Sequence, residues 1–231
     1  MPDRNDDHLR DELRSFGRRR ARTPGPRQRR LWDELLPKLA LDLTQPLPDQ
    51  LPGVAAKQLW LEIGFGGAEH LLWQAQQNPH TTIIGCEPFE DGVIKALAGI
   101  DDHQLTNLRL YADDARELLR WLPATSLDRV FILFPDPWPK RKHIKRRLVQ
   151  PATLDLLARV MKPGSELRIG TDIGDYARTI LLAITGHAAF EWPATCPDDW
   201  RIRGDDWPAT RYEQKAIRDG RTRYYLRFRR I

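Results

Sequence analysis

From Gln58 onward the chain alternates between two hydrophobic periods. QLWLEIGF (58–65) reads as a strand, and EHLLWQAQQ (69–77) as a helix that sets Leu71, Leu72 and Ala75 on one face. TTIIGCEP (81–88) is a second strand and DGVIKALAGI (91–100) a second helix. NLRLYADD (107–114) is a third strand, followed by the short helical stretch ARELLRWL (115–122). LDRVFILFP (127–135) is nearly all apolar, the mark of a parallel strand buried on both faces. RLVQPATLDLLARVM (147–161) is helical and stops at KPG; ELRIGTD (166–172) is a fifth strand, and DYARTILLAITGH (175–187) a helix. FEW (190–192) and RYYLRFRR (223–230) close the series as two further strands.

Repeated strand–helix alternation calls for an α/β fold: a doubly wound, mostly parallel seven-stranded sheet with right-handed crossovers, Rossmann-like in type. Such sheets bind ligands beyond the C-terminal ends of their strands, so function is expected just after each strand. Upstream, residues 1–30 are Arg-rich and lack apolar periodicity. LWDELLPKLALDL (31–43) predicts a short helix cut by Pro37, and a Pro-rich linker runs to Gly53. The organisation expected is a basic N-terminal arm over 1–52 and one α/β domain over 53–231.

Composition narrows the class. The chain has 231 residues, 41% of them apolar, enough for one large domain with a real core. No apolar run approaches the roughly 20 residues of a membrane helix. MPDRNDDHLRDELR has no apolar stretch behind its charges and is no secretory leader, so a cytoplasmic protein is expected. Two cysteines, Cys86 and Cys196, supply neither a disulfide framework nor a four-thiolate site. The histidines are scattered without partners at ligand spacing, so no metal is expected; His8, His70, His80, His103 and His187 read as surface residues. The net charge of +5 is concentrated in RRRARTPGPRQRR (18–30), KRKHIKRR (140–147) and RTRYYLRFRRI (221–231), which points to a polyanionic partner.

The first strand runs into Glu62-Ile63-Gly64-Phe65-Gly66-Gly67-Ala68-Glu69. Gly64 and Gly66 allow a sharp turn and close approach to a ligand. A dinucleotide fingerprint wants glycine where Glu69 stands, and a carboxylate there repels a pyrophosphate. A zwitterionic cofactor suits this loop better, with Glu62 at its amino-acid end. Glu87 ends the second strand, placed to accept from ribose hydroxyls. Asp114 follows the third strand, placed to receive an adenine amino group. Ala68 needs only an ordinary φ. After the fourth strand comes Phe134-Pro135-Asp136-Pro137-Trp138-Pro139-Lys140. Its prolines fix φ around Asp136, Trp138 offers a stacking surface, and the cations that follow offer phosphate contacts.

The glycine loop, Glu87 and Asp114 together resemble the class I S-adenosylmethionine methyltransferases over about residues 58–190. FPDPWPKRKHIKRR is similar to the PDPWxKxxHxKRR signature of bacterial tRNA (guanine-N7-)-methyltransferases. The segments at Ser15–Arg20, Thr171–Asp172 and Thr210–Gln214 extend the resemblance over nearly the whole chain. It implies an enzyme that methylates N7 of a tRNA guanosine, at position 46 of the variable loop, as monomer or homodimer. S-adenosylmethionine would be held by Glu62, Gly64, Gly66, Glu87, Asp114 and Asp136, with Asp136 the candidate catalytic residue. Lys140, Asp172, Thr210, Arg211, Tyr212 and Glu213 would contact the substrate, and Lys142, His143, Lys145, Arg146 and Arg147 the RNA. The family usually has glycine where this chain has Ala68.

Guanine N7 carries a lone pair and no proton, so no general base is required and positioning dominates. An acid such as Asp136 or Asp172 can stabilise the developing cation or hold the guanine N1 and N2 hydrogens. Three rivals stand beside this reading. A methyltransferase for a protein or small molecule sits poorly with the basic clusters, and a nicotinamide oxidoreductase with Glu69. An idle RNA-binding scaffold sits poorly with the retained acids. Trp192, Trp200 and Trp207 read as packing or as a lid.

Overall fold

A computed structural model describes residues 23–48 and 57–231. Seven strands form one sheet in the order β3-β2-β1-β4-β5-β7-β6. They are β1 (Gln58–Ile63), β2 (Thr81–Cys86), β3 (Leu108–Tyr111), β4 (Leu127–Leu133), β5 (Met161–Thr171), β6 (Phe190–Glu191) and β7 (Tyr224–Arg230). β1 to β5 pair in parallel; β7 runs antiparallel to both β5 and β6. The nearly all-apolar β4 takes the central place, with Val130, Phe131, Ile132 and Leu133 all buried. The chain winds outward one way through β2 and β3 and the other way through β4 and β5. The reversal lies between β1 and β4, where a crevice opens beyond the strand ends.

Each face of the sheet has its own core. On one, α5 (Ala115–Trp121), α6 (Pro151–Val160) and α7 (Gly174–Thr185) bring Leu118, Leu154, Leu157 and Ile180 against Val130, Ile132, Leu167 and Leu226. On the other, α3 (Glu69–Gln77) and α4 (Glu90–His103) bring Leu71, Val93 and Leu97 against Ile83, Leu108 and Phe131. Local chemistry sets the helix starts. Asp114 caps α5 by accepting from the Arg116 amide, and Pro151 fills the first turn of α6, where its missing donor costs nothing.

Three findings differ from expectation upstream of and within this frame. Helix begins earlier than the apolar pattern suggests. α1 (Pro26–Arg30) continues through a π-helical turn (Leu31–Leu35) into α2 (Leu36–Leu39), so Pro37 is absorbed at the start of a new segment rather than cutting the path. Arg27 reaches Asp101 at 3.0 Å, Leu31 and Leu39 enter the second core, and Ala40 bridges to Leu110 beside β3. Residues 49–56, where the boundary at 52/53 falls, lie outside the described residues, as do His8 and the Ser15–Arg20 segment. The KPG stretch does not precede β5 but belongs to it: the strand starts at Met161, with a register shift against β4 between Leu127 and Arg129. His70 is buried, at 1% exposure, not a surface residue. No helix among the described residues is long and apolar enough to cross a membrane.

Candidate active site

The crevice at the β1/β4 reversal is a cleft of about 460 Å³, within the range of small-molecule sites. Gly64, Gly66, Glu87, Phe89, Asp114 and Arg116 line one end; Phe134, Asp136, Trp138 and Arg146 line the other, with Tyr212 alongside.

The first end is built mainly from backbone. Gly64 and Gly66 adopt φ of +74° and +54°, which glycine takes without a Cβ clash. A side chain at Gly66 would also meet the Tyr212 ring at 2.9 Å. Glu87 is buried and grips this loop, accepting from the Gly66 amide (2.8 Å) and the Phe89 amide (3.0 Å). Burial raises its carboxyl above the ordinary glutamate value; the two amide bonds pull the other way, while Asp136 and Glu62 push it further up. Ala68 is a correction: its φ is +66°, so it takes the left-handed conformation rather than an ordinary one, at the N-terminus of α3.

Asp114 lies at the cleft wall, but its carboxylate is already engaged. Oδ1 accepts from the Arg116 amide and Nε (2.9 Å each), and Oδ2 from Arg116 Nη2 (2.8 Å). Arg116, which no sequence signal singled out, lines the cleft with it. Glu62 lies beneath the loop rather than on the lining. Its Oε2 is 2.7 Å from His70 Nδ1, and both are buried. Gln74 continues the chain, 3.2 Å from His70 Nε2 and donating to the Asp206 carbonyl at 2.8 Å.

Gly92 in α4 carries a role that its helical setting hides. A Cβ there would sit 2.5 Å from the Gly66 carbonyl oxygen and 3.1 Å from Glu87. Only a glycine lets α4 press against the loop. An isolated glycine within a helical pattern is the one signal that points to it.

The second end is held by side chains and strain. Phe134 and Trp138 bracket Pro135-Asp136-Pro137 with φ of +51° and +40°, conformations that cost bulky residues of order 1–3 kcal/mol each. Phe134 N–H donates to the Gly170 carbonyl at 2.7 Å. Arg147 locks the other side: Nε donates to the Pro137 carbonyl (2.8 Å), Nη1 to Thr179 (2.9 Å) and Nη2 to Asp175 (2.6 Å), and the guanidinium stacks on Tyr176. Asp136 is exposed as a residue, yet the cleft walls desolvate its carboxyl and raise it above the ordinary aspartate value. The Arg146 guanidinium lies 5.0 Å over Trp138, and the His143 ring meets its edge at 5.7 Å.

Arg147 therefore corrects an expectation. It is 2% exposed and fastens the loop from within, so it is not available to RNA in this arrangement. Lys140, Lys142 and Lys145 are exposed and Arg146 half-buried, on or beside the 3₁₀ helix Arg141–Arg146. The Thr210–Glu213 stretch divides in two. Tyr212 lines the cleft, and Arg211 covers Gly67 while pairing with Glu69. Beyond α8 (Asp198–Arg201), Thr210 caps α9 (Arg211–Arg218), and buried Glu213 turns to Tyr225 (2.6 Å) and Arg203 (3.1 Å). Asp172 pairs with Arg221 at 2.7 Å, off the lining. The late tryptophans pack: Trp207 is fully buried against Tyr225, and Trp192 stacks near Trp200 at 5.2 Å.

Residues 56–226 match a family described as "Putative methyltransferase". Among solved structures, an antibiotic-related methyltransferase superposes with a TM-score of 0.52 at 16% identity, covering 91% of this chain and 97% of its own. The [4+2]-cyclase SpnF superposes at 0.53, also 16% identical, over 76% of both chains. These low identities speak for the fold alone. The Rhodospirillum rubrum tRNA (guanine-N(7)-)-methyltransferase is 46% identical over 226 residues, 95% of this chain and 89% of its own. The Hyphomonas neptunium enzyme of the same name is 50% identical over 210 residues, 90% of this chain and 95% of its own. On sequence, over nearly its whole length, the chain belongs to the tRNA (guanine-N7)-methyltransferase family.

Proposed function

We propose that this chain transfers a methyl group from S-adenosylmethionine to N7 of a tRNA guanosine, at position 46 of the variable loop. The observation that carries the reading is one cleft joining the Glu87 loop to the Asp136–Trp138 loop across the β1/β4 reversal.

The donor set fits the cofactor. Nothing lies within 4 Å of the space a side chain would take at Gly64, so the backbone there is open to a ligand. Each Glu87 oxygen accepts one amide bond and keeps a second lone pair for a ribose hydroxyl. Asp114 and Arg116 close the adenine end, while Glu62, buried on His70, serves the methionine end through the loop it supports. When bound, S-adenosylmethionine supplies a methyl group on a cationic sulfur.

The remaining work falls to the chain. Trp138 offers the target base an aromatic surface at the cleft, and the Arg146 guanidinium stacks on the same ring. Guanine N7 needs no deprotonation, so rate comes from alignment at about 3–3.5 Å. Methylation leaves the base cationic, and the Asp136 carboxylate stabilises that charge in a half-desolvated setting where it counts for more than in water. The cations of residues 140–146 take phosphates on one flank of the target nucleotide.

The test is transfer of labelled methyl to a tRNA transcript beside one carrying 7-deazaguanosine at position 46. Label on the first and none on the second is expected. Label on both would move the target atom, and label on neither would overturn the substrate assignment.

A further inference from the structure

The basic run at residues 140–146 occupies one side of the cleft. A further stretch of the cleft wall comes from α9 (Arg211–Arg218), whose Tyr212 lines the cleft next to Gly66. At about 100° per residue, Arg211, Gln214, Lys215 and Arg218 fall within about a quarter-turn of one another. The buried residues of this helix, Glu213 and Ala216, lie on the opposite face. The stripe is thus presented outward over about 10 Å, from the cleft mouth along the helix. Arg211, Lys215 and Arg218 are all exposed. Arg211 pairs with Glu69, whereas Lys215 and Arg218 have no carboxylate partner among the described residues. Asp219, which follows Arg218 directly, pairs instead with Arg221 at 2.6 Å, and Glu213 is buried.

We propose that this face of α9 is a second RNA-binding wall, contacting backbone phosphates on the far side of the target nucleotide. The inference rests on the proposed function. A base inserted into the cleft that Trp138 and Tyr212 both line has a phosphate on either flank. The segment at 140–146 meets one flank, and the other falls to the exposed α9 stripe, which runs from the cleft at Tyr212. The ligand chemistry is a ribose-phosphate strand read by charge, without base specificity. The same helix presses Tyr212 and Arg211 onto the glycine loop, so strand docking and the cofactor end share one element.

The test measures tRNA affinity against salt, with steady-state methylation, for wild type, K215Q/R218Q, K142Q/K145Q and the charge-matched control K95Q/R120Q, whose exposed cations lie on α4 and α5. Each lost phosphate contact lowers the salt slope by about 1, so K215Q/R218Q is expected to lose about 2. Its KM for tRNA should rise while kcat and S-adenosylhomocysteine affinity hold, and the control should match wild type. An unchanged slope in K215Q/R218Q, or the same slope loss in the control, overturns the second wall. If wild type itself transfers no methyl to tRNA, the proposed function has failed; if it does and only K142Q/K145Q loses slope, this inference alone has failed.

Discussion

The two ends of the cleft are built by different means. The cofactor end is made of strand termini and backbone amides. Glu87 holds the Gly66 and Phe89 amides, and two glycines at positive φ turn the chain. Its supports from outside the loop are His70 beneath Glu62, the bare backbone of Gly92, and the Arg211 and Tyr212 side chains laid over it. The substrate end is a strained loop, with Phe134 and Trp138 at positive φ, that keeps its shape because Arg147 reaches across to α7. A site made of backbone follows directly from the fold. A site made of strain depends on long-range contacts, and its cost must be offset by the elements that clamp it. Perturbing each end should therefore fail in a different way.

The largest effect belongs to the clamp. Arg147→Met keeps the bulk but leaves the Pro137 carbonyl without its donor; with the exposed Asp175 pair discounted, a loss of about 2–3 kcal/mol is expected. Thermal unfolding and turnover should both drop, while the salt slope of tRNA binding stays at the wild-type value. A slope reduced by about 1 would instead make Arg147 a phosphate contact.

Gly92→Ala is next. In an ordinary helix interior the change would stabilise by up to about 1 kcal/mol. Here the new Cβ presses on the Gly66 carbonyl, and cofactor affinity should fall about tenfold or more as the loop is displaced. Unchanged affinity with a higher melting temperature would show that the loop has room.

The pH dependence of cofactor binding is smaller and has a definite sign. Burial raises Glu87, so protonation begins at a higher pH than for an ordinary glutamate at about 4.3, and affinity should fall as pH drops through that raised value. Glu87→Gln should flatten the profile. For the unliganded fold the sign is opposite: this group's contribution is fully present below the ordinary value and is lost as pH rises through the raised one. Calorimetric titration across the acid range checks the first, and melting temperatures of the unliganded protein the second.

Ala68→Gly is the smallest. Relief of left-handed strain, about 1–2 kcal/mol, is nearly cancelled by the lost buried methyl and the added chain freedom, so stability should stay within about 0.5 kcal/mol of wild type. A loss near 1.5 kcal/mol on denaturant unfolding would mean that Ala68 is unstrained.

These contrasts also mark what the sequence could and could not carry. The succession of strands along the chain, the glycine loop, Glu87 and the PDPW loop were legible because period-2 runs and glycine or proline punctuation report local backbone directly. Arg147 was misread because a charge run looks alike whether its members face solvent or, like Arg147, fold back onto Asp175 and Thr179 on a helix after the next strand. His70 and Trp207 were misplaced or left open for the same reason: their partners Glu62 and Tyr225 become neighbours only once a helix and a loop fold back onto the sheet. The φ of Ala68 is set by how α3 must leave the loop, and residue type gave no warning. The early helix from Pro26 is held by Arg27 on Asp101 and Asp102, contacts without apolar periodicity.

One measurement sets the two ends directly against each other: S-adenosylhomocysteine affinity and single-turnover methyl transfer to tRNA for Asp136→Asn and Glu87→Gln. Asp136→Asn should keep affinity within about threefold and lose transfer by about 10²–10³. Glu87→Gln should lose affinity by about tenfold or more and recover transfer at saturating cofactor. Equal losses of binding and transfer in both variants would contradict a cleft with two separately built ends.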